Sequence, residues 1–229
     1  MKMKKIALQV AFGMFGLLFA AAPAHAVLLY SGSLSTAAGG LTGFGDYAIG
    51  TTFSWNISFD NSTNFWTYGY TFATTTTKNL SHVNIELSDN FTSGDFKTGT
   101  SPNNGINTWC ATCQGNSNIG QPGPLYGVQF PGGATTVNFQ IVTDRAPVWG
   151  DVFGKDGNNV YFYNTGFLAA DPLNPPSNGS INNHILRPDT VEEPPPPPPP
   201  VIPEPSSLLL MGTSLVGALG LSRRKWWSA

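Results

Sequence analysis

The residues able to do chemistry in this chain are few. The most suggestive are two cysteines three apart, in Trp109-Cys110-Ala111-Thr112-Cys113. They sit in a stretch from Thr98 to Pro124 packed with Gly, Asn and Pro, a long loop of the kind that is functional or held by something. In an oxidising compartment the simplest reading is a local Cys110–Cys113 disulfide that stiffens this loop. A redox-active pair would need its first cysteine at a helix N-terminus in a βαβ setting, and neither is evident. A zinc site lacks its other ligands, because beyond the N-terminal segment the chain offers only His82 and His184. His82 falls on the polar face of a predicted strand, where a surface or hydrogen-bonding role is expected. His184 lies in an Asn-rich loop, with no Gly-x-Ser-x-Gly elbow to pair it with a nucleophile.

The carboxylates are no more specific. Asp144, Asp151 and Asp156 fall close together, and Asp156-Gly157-Asn158-Asn159 has some flavour of a calcium loop, but the spacing of an EF-hand is absent. Hairpin turns and a salt bridge to Arg145 or Lys155 account for them. A glycosidase needs two carboxylates at a set separation in a cleft. Glu86 and Asp89 are available for that, and nothing in the sequence points to them. Tyr68, Tyr70, Tyr161 and Tyr163 share strands with other aromatics; exposed, they could stack on sugar rings beside Asn and Asp, and otherwise they are core. The expectation is therefore no catalytic residue, no metal and no cofactor.

The elements that must position these groups are strands. Phe53, Trp55, Ile57 and Phe59 alternate with polar residues, and after the turn signal Asp60-Asn61-Ser62 the period of two resumes at Trp66, Tyr68, Tyr70 and Phe72. It returns at Val83, Ile85 and Leu87, at Tyr126, Val128 and Phe130, and at Val137, Phe139 and Ile141. Asp156-Gly157, between Val152-Phe153 and Val160-Tyr161-Phe162-Tyr163, signals a tight hairpin. No stretch of the body keeps a 3.6 period. Strands with one apolar face each need a second sheet to bury against, which predicts an all-β, antiparallel β-sandwich of jelly-roll-like type over residues 27–190. Those residues carry five bases (Lys78, Lys97, Arg145, Lys155, Arg187) against ten acids, so no basic stripe exists to neutralise phosphates and nucleic acid is not an expected partner.

The two ends are addresses. Lys2, Lys4 and Lys5 precede an uncharged, mostly apolar run to Ala22, and Ala24-His25-Ala26 places small residues where a signal peptidase accepts them. Residues 1–26 are thus an expected signal peptide, and the mature protein starts at Val27. Residues 191–202 form a Pro-rich linker. The prolines of 194–200 have no donors for a sheet and fix φ near −65°, so they read as an extended polyproline II spacer of about 3.1 Å per residue. Residues 203–229 are tripartite: Pro203-Glu204-Pro205, an uncharged run over 206–222, and the basic stop-transfer cluster Arg223, Arg224 and Lys225.

This tail resembles the PEP-CTERM sorting tail of exported Gram-negative bacterial proteins, which exosortases recognise. Two segments of the body, from Trp66 through Ser81-His82-Val83 to Asp89 and from Asp144 to Asp151, also resemble the ectodomain common among PEP-CTERM proteins, and this carries no activity with it. The resemblance implies an exosortase-type processing enzyme as partner, a transient stop in the inner membrane through a single helix over 206–222, and then a cell-surface or extracellular location. The expected function is a non-catalytic surface or matrix protein with extracellular polysaccharide as its candidate partner. The alternative is a secreted carbohydrate-active hydrolase on the same scaffold.

Overall fold

A computed structural model describes residues 27–113, 118–157 and 159–189. The expected signal peptide, Pro-rich linker, sorting motif, stop-transfer cluster and membrane helix lie outside these residues. Among the described residues twelve strands follow one another: β1 (Val27–Ser35), β2 (Leu41–Phe44), β3 (Thr51–Asp60), β4 (Phe65–Thr74), β5 (His82–Glu86), β6 (Ile106–Trp109), β7 (Leu125–Pro131), β8 (Thr136–Thr143), β9 (Pro147–Gly150), β10 (Val152–Asp156), β11 (Val160–Asn164) and β12 (Ile185–Pro188). Among the described residues the only helical pieces are two short 3₁₀ turns, and no helix is long and apolar enough to cross a membrane.

The strands form a four-stranded sheet in the order β1-β3-β4-β8, a six-stranded sheet in the order β2-β11-β10-β5-β7-β6, and a small pair β12-β9. Every pairing is antiparallel. The predicted alternation is realised residue by residue: Phe53, Trp55, Ile57 and Phe59 of β3, and Trp66, Tyr68, Tyr70 and Phe72 of β4, are all buried. They meet the inner face of the six-stranded sheet, where Val83, Ile85, Val128, Phe130, Val152 and Phe162 join the same core. Rings stack across the gap, Phe72 on Phe162 at 5.2 Å and Phe139 on Phe130 at 4.7 Å between centroids. Each such ring removes a large apolar area from water, and well-placed aromatic pairs add about 0.5–1.5 kcal/mol beyond that burial. The described residues form an all-β, antiparallel sandwich.

Turn chemistry fixes the registers. The β3–β4 hairpin turns at Asp60, whose carboxylate accepts from the Ser62 amide (2.8 Å), the Ser62 hydroxyl (2.7 Å) and the Thr63 hydroxyl (3.0 Å). These donors, Ser62 first, hold its pKa below the usual carboxylate value. The predicted β10–β11 hairpin turns at Gly157, with Asp156 opposite Val160. One expectation is corrected. The stretch from Thr98 to Pro124 is not loop throughout, because Ile106–Trp109 form the edge strand β6 against β7.

Tyr68 and Tyr70 belong to the core and are not available as a sugar-stacking surface. Their hydroxyls are satisfied there, donating to the carbonyls of Arg145 (2.7 Å) and Leu186 (2.9 Å).

Candidate functional site

Two polar regions stand apart from the core. The first is the outer face of the six-stranded sheet. Phe162 of β11 turns inward, so Tyr161 and Tyr163 turn outward and join Phe153, Trp109, Leu125 and Phe167 in a second apolar cluster. The predicted Cys110–Cys113 disulfide is formed, and residues 118–124 lie on this face. A Cβ at Gly120 would run into the Tyr161 ring, so the backbone rests directly on the aromatic. Beneath the loop runs a chain of amides. Asn104 donates to Gln129 (2.9 Å), Gln129 to Asn84 (3.0 Å), and Asn84 to Gln121 (3.2 Å); Gln121 then donates to the Trp109 and Gly123 carbonyls (2.7 Å each). His82 takes the hydrogen-bonding role expected of it, with Nε2 2.8 Å from the Asn118 side-chain oxygen. Burial pushes its pKa down. At the sheet edge Phe44, 43% exposed, stacks on Tyr161 at 4.5 Å, leaving an aromatic ledge of Phe44, Tyr161 and Tyr163 half open to solvent.

Closing a loop this short removes about 2 kcal/mol of unfolded-chain entropy in the simplest accounting. Replacing both Cys110 and Cys113 by Ser is therefore expected to lower the melting temperature by about 4–8 °C. Intact mass before and after reduction, differing by the two thiol hydrogens, checks that the bond exists in the isolated protein.

The second region is a cluster of charged groups gathered from four places: Glu86 at the end of β5, Asp151 at the bend between β9 and β10, Asp171 and His184 between β11 and β12, and Arg187 on β12. The Arg187 guanidinium bridges two acids, with Nη2 3.1 Å from Glu86 Oε1 and 2.9 Å from Asp171 Oδ2, while Nη1 donates to Ser88 Oγ at 2.7 Å. The other oxygen of Glu86 accepts from the Asp151 amide at 2.7 Å. Asp151 Oδ1 accepts from Asn164 Nδ2 at 2.7 Å and lies 3.7 Å from His184 Nε2. Asp171 Oδ1 lies 3.7 Å from the same nitrogen. Burial pushes Glu86 up to about 7 and Asp151 up to about 8. Arg187 opposes both rises, while neighbouring acids reinforce them.

Sequence reasoning missed this assembly, placing His184 in a plain loop and leaving Asp171 and Arg187 without a role. It also grouped Asp144, Asp151 and Asp156, which the fold separates. Asp144 pairs with Lys97 (3.0 Å), Asp151 joins the cluster, and Asp156 ends β10. Arg145 pairs instead with Asp95, at 3.0 Å. Glu86 is drawn into the cluster, while Asp89 stands exposed. The one faint signal was His184-Ile-Leu-Arg187, two polar groups bracketing an apolar pair near the end of the domain.

Fold and sites define an antiparallel β-sandwich with one buried charge cluster and one loop-covered aromatic face, an architecture that by itself specifies no reaction. The tail supplies the assignment that the body does not. Residues 201–225 match the PEP-CTERM protein-sorting motif, which supports a PEP-CTERM domain-containing exosortase substrate. The motif implies processing by an exosortase at the membrane, and export to the surface or beyond. No curated protein and no solved structure matches the chain.

Proposed function

We propose that this is a non-catalytic cell-surface or matrix protein, sorted through its tail by an exosortase and associated with extracellular polysaccharide. The sorting motif at residues 201–225 carries the reading. The half-open ledge of Phe44, Tyr161 and Tyr163 supports the polysaccharide part, since flat rings beside amide side chains are how a sheet face grips a sugar's apolar side. Purified mature protein is expected to be retained on extracellular polysaccharide from its own host and to release no reducing ends from it. Replacing Phe44 and Tyr161 together by Ala should weaken retention about five- to tenfold, the worth of roughly one good stacking contact. Undiminished retention in that variant would remove the ledge from the reading.

The alternative, a secreted carbohydrate-active hydrolase, is favoured by one observation. Glu86 and Asp151 are neighbouring carboxylates held near neutrality, in the range suited to acid–base work. Both, however, are engaged by the cluster around them, and Glu86 is gripped on both of its oxygens. Turnover of the same polysaccharide, lost in Glu86→Gln, would reverse the preference.

A further inference from the structure

The charge cluster has a feature that ion pairing and hydrogen bonding leave unexplained. The His184 side chain is fully buried, and its Nε2 has no hydrogen-bond partner. Its Nδ1 lies 3.3 Å from the Ile181 carbonyl. A carbonyl only accepts, so Nδ1 is the ring's donor here, and in the metal-binding tautomer that this contact selects Nε2 presents its lone pair. That lone pair faces Asp151 Oδ1 and Asp171 Oδ1, each 3.7 Å away, and the three atoms all lie within 4.8 Å of one another. Three electron-rich atoms converge on one point, and the 3.7 Å from Nε2 to each carboxylate oxygen lies past the roughly 3.6 Å at which a side-chain hydrogen bond is no longer made. The ring is seated to hold this aim, because a Cβ at Gly166 would strike it.

We infer that Asp151, Asp171 and His184 bind a single first-row divalent cation, with zinc the best match to one imidazole nitrogen and two carboxylate oxygens. A tetrahedral zinc with donors at about 2.0–2.2 Å places those donors about 3.4 Å apart, so the two imidazole–carboxylate spacings of 3.7 Å need to close by only a few tenths of an ångström. The imidazole in the donor set favours zinc or a neighbouring transition ion over calcium, which prefers an all-oxygen shell of six or more. Asp171, with 31% of its side chain exposed, marks the side from which an ion enters and where water completes the shell. With ligands from the bend before β10 and from the β11–β12 segment up to the residue before β12, the ion would be a clasp on the last described strand.

The test uses the purified full-length chain in detergent, stripped with chelator and desalted. Titration with zinc chloride is expected to show one equivalent bound per chain in the micromolar range or tighter, with a raised melting temperature. His184→Gln should bind at least about 100-fold more weakly and lose the thermal shift. Asp171→Asn, at a partly exposed position, carries the same test should the buried variant not fold. His82→Gln, outside the cluster, should bind as the parent does. Cobalt(II) added in place of zinc should give visible absorption that is absent in His184→Gln. No saturable binding up to about 1 mM zinc, an affinity worth only about 4 kcal/mol, would overturn the site. So would equal affinity in the parent and both cluster variants, or equal loss in His82→Gln.

Discussion

Replacing Pro203, Glu204 and Pro205 by Ala is expected to convert a processed, tail-free protein into a full-length form held in the membrane, an all-or-none change. As a helix, the uncharged run from Ser206 to Ser222 would be about 25 Å long at about 1.5 Å per residue, just enough for a thin bilayer. Arg223, Arg224 and Lys225 would then stop transfer and keep their charge on the cytoplasmic side, with the motif at the outer surface. Prolines on both sides of Glu204 oppose helix through the motif and favour an extended segment that a membrane-embedded enzyme can engage. Membrane fractionation with mass spectrometry of the C-terminal peptide checks this. The Trp226-Trp227 peptide should be missing from wild-type mature protein and present in the Ala variant. If wild-type protein keeps that peptide while its exosortase is active, sorting through this tail is wrong.

Arg187→Ala is expected to cost about 3–5 kcal/mol, because it leaves Glu86 and Asp171 facing each other at mostly buried positions without their cation. For a domain of this size that is a fall of about 6–20 °C in melting temperature, read on chelator-treated protein so that a bound ion does not mask it. The loss is a penalty of stranded charge more than the worth of the pair. Adding Glu86→Gln and Asp171→Asn to the Arg187→Ala background should therefore recover much of it. A drop below about 1 kcal/mol for Arg187→Ala alone would mean that the cluster is solvated like an ordinary surface ion pair.

Much of the sandwich was legible in the sequence, and the reason is physical. The long strands β3 and β4 pair over ten positions each, and their inward residues are nearly all aromatic or Ile, so the period of two is written out in full. The four-residue strands were not legible. β9 and β12 have four residues each, contain Pro147 and Pro188, and are buried on nearly every residue, which erases alternation. In β1 the register shifts between Leu28 and Tyr30, so its pattern slips by a residue partway along. The disulfide was readable because its partners are three residues apart. The charge cluster was not, since Glu86 and Arg187 are a hundred positions apart and meet only once β5 lies beside β10 and β12 beside β9. Tyr68 and Tyr70 show the same limit. Their polar ends find carbonyls of Arg145 and Leu186, which no local pattern announces.

The route by which the chain leaves the domain bears on how the body would behave under tension. β12 is the last strand before the chain continues toward the tail, and it is no loose edge. Ile185 and Leu186 are fully buried, Leu186 receives the Tyr70 hydroxyl, Arg187 bridges two acids, and the Asp189 amide donates to the Ala146 carbonyl. A pull applied through the residues after Asp189, by shear or by the drag of a matrix, would enter the molecule at a strand tied into both the core and the charge cluster. Peeling that segment away would tear the core and strip the charge cluster in one step. Rupture should therefore be a single high-force event, with no early release of a terminal strand, a useful property in a body held from its C-terminal side.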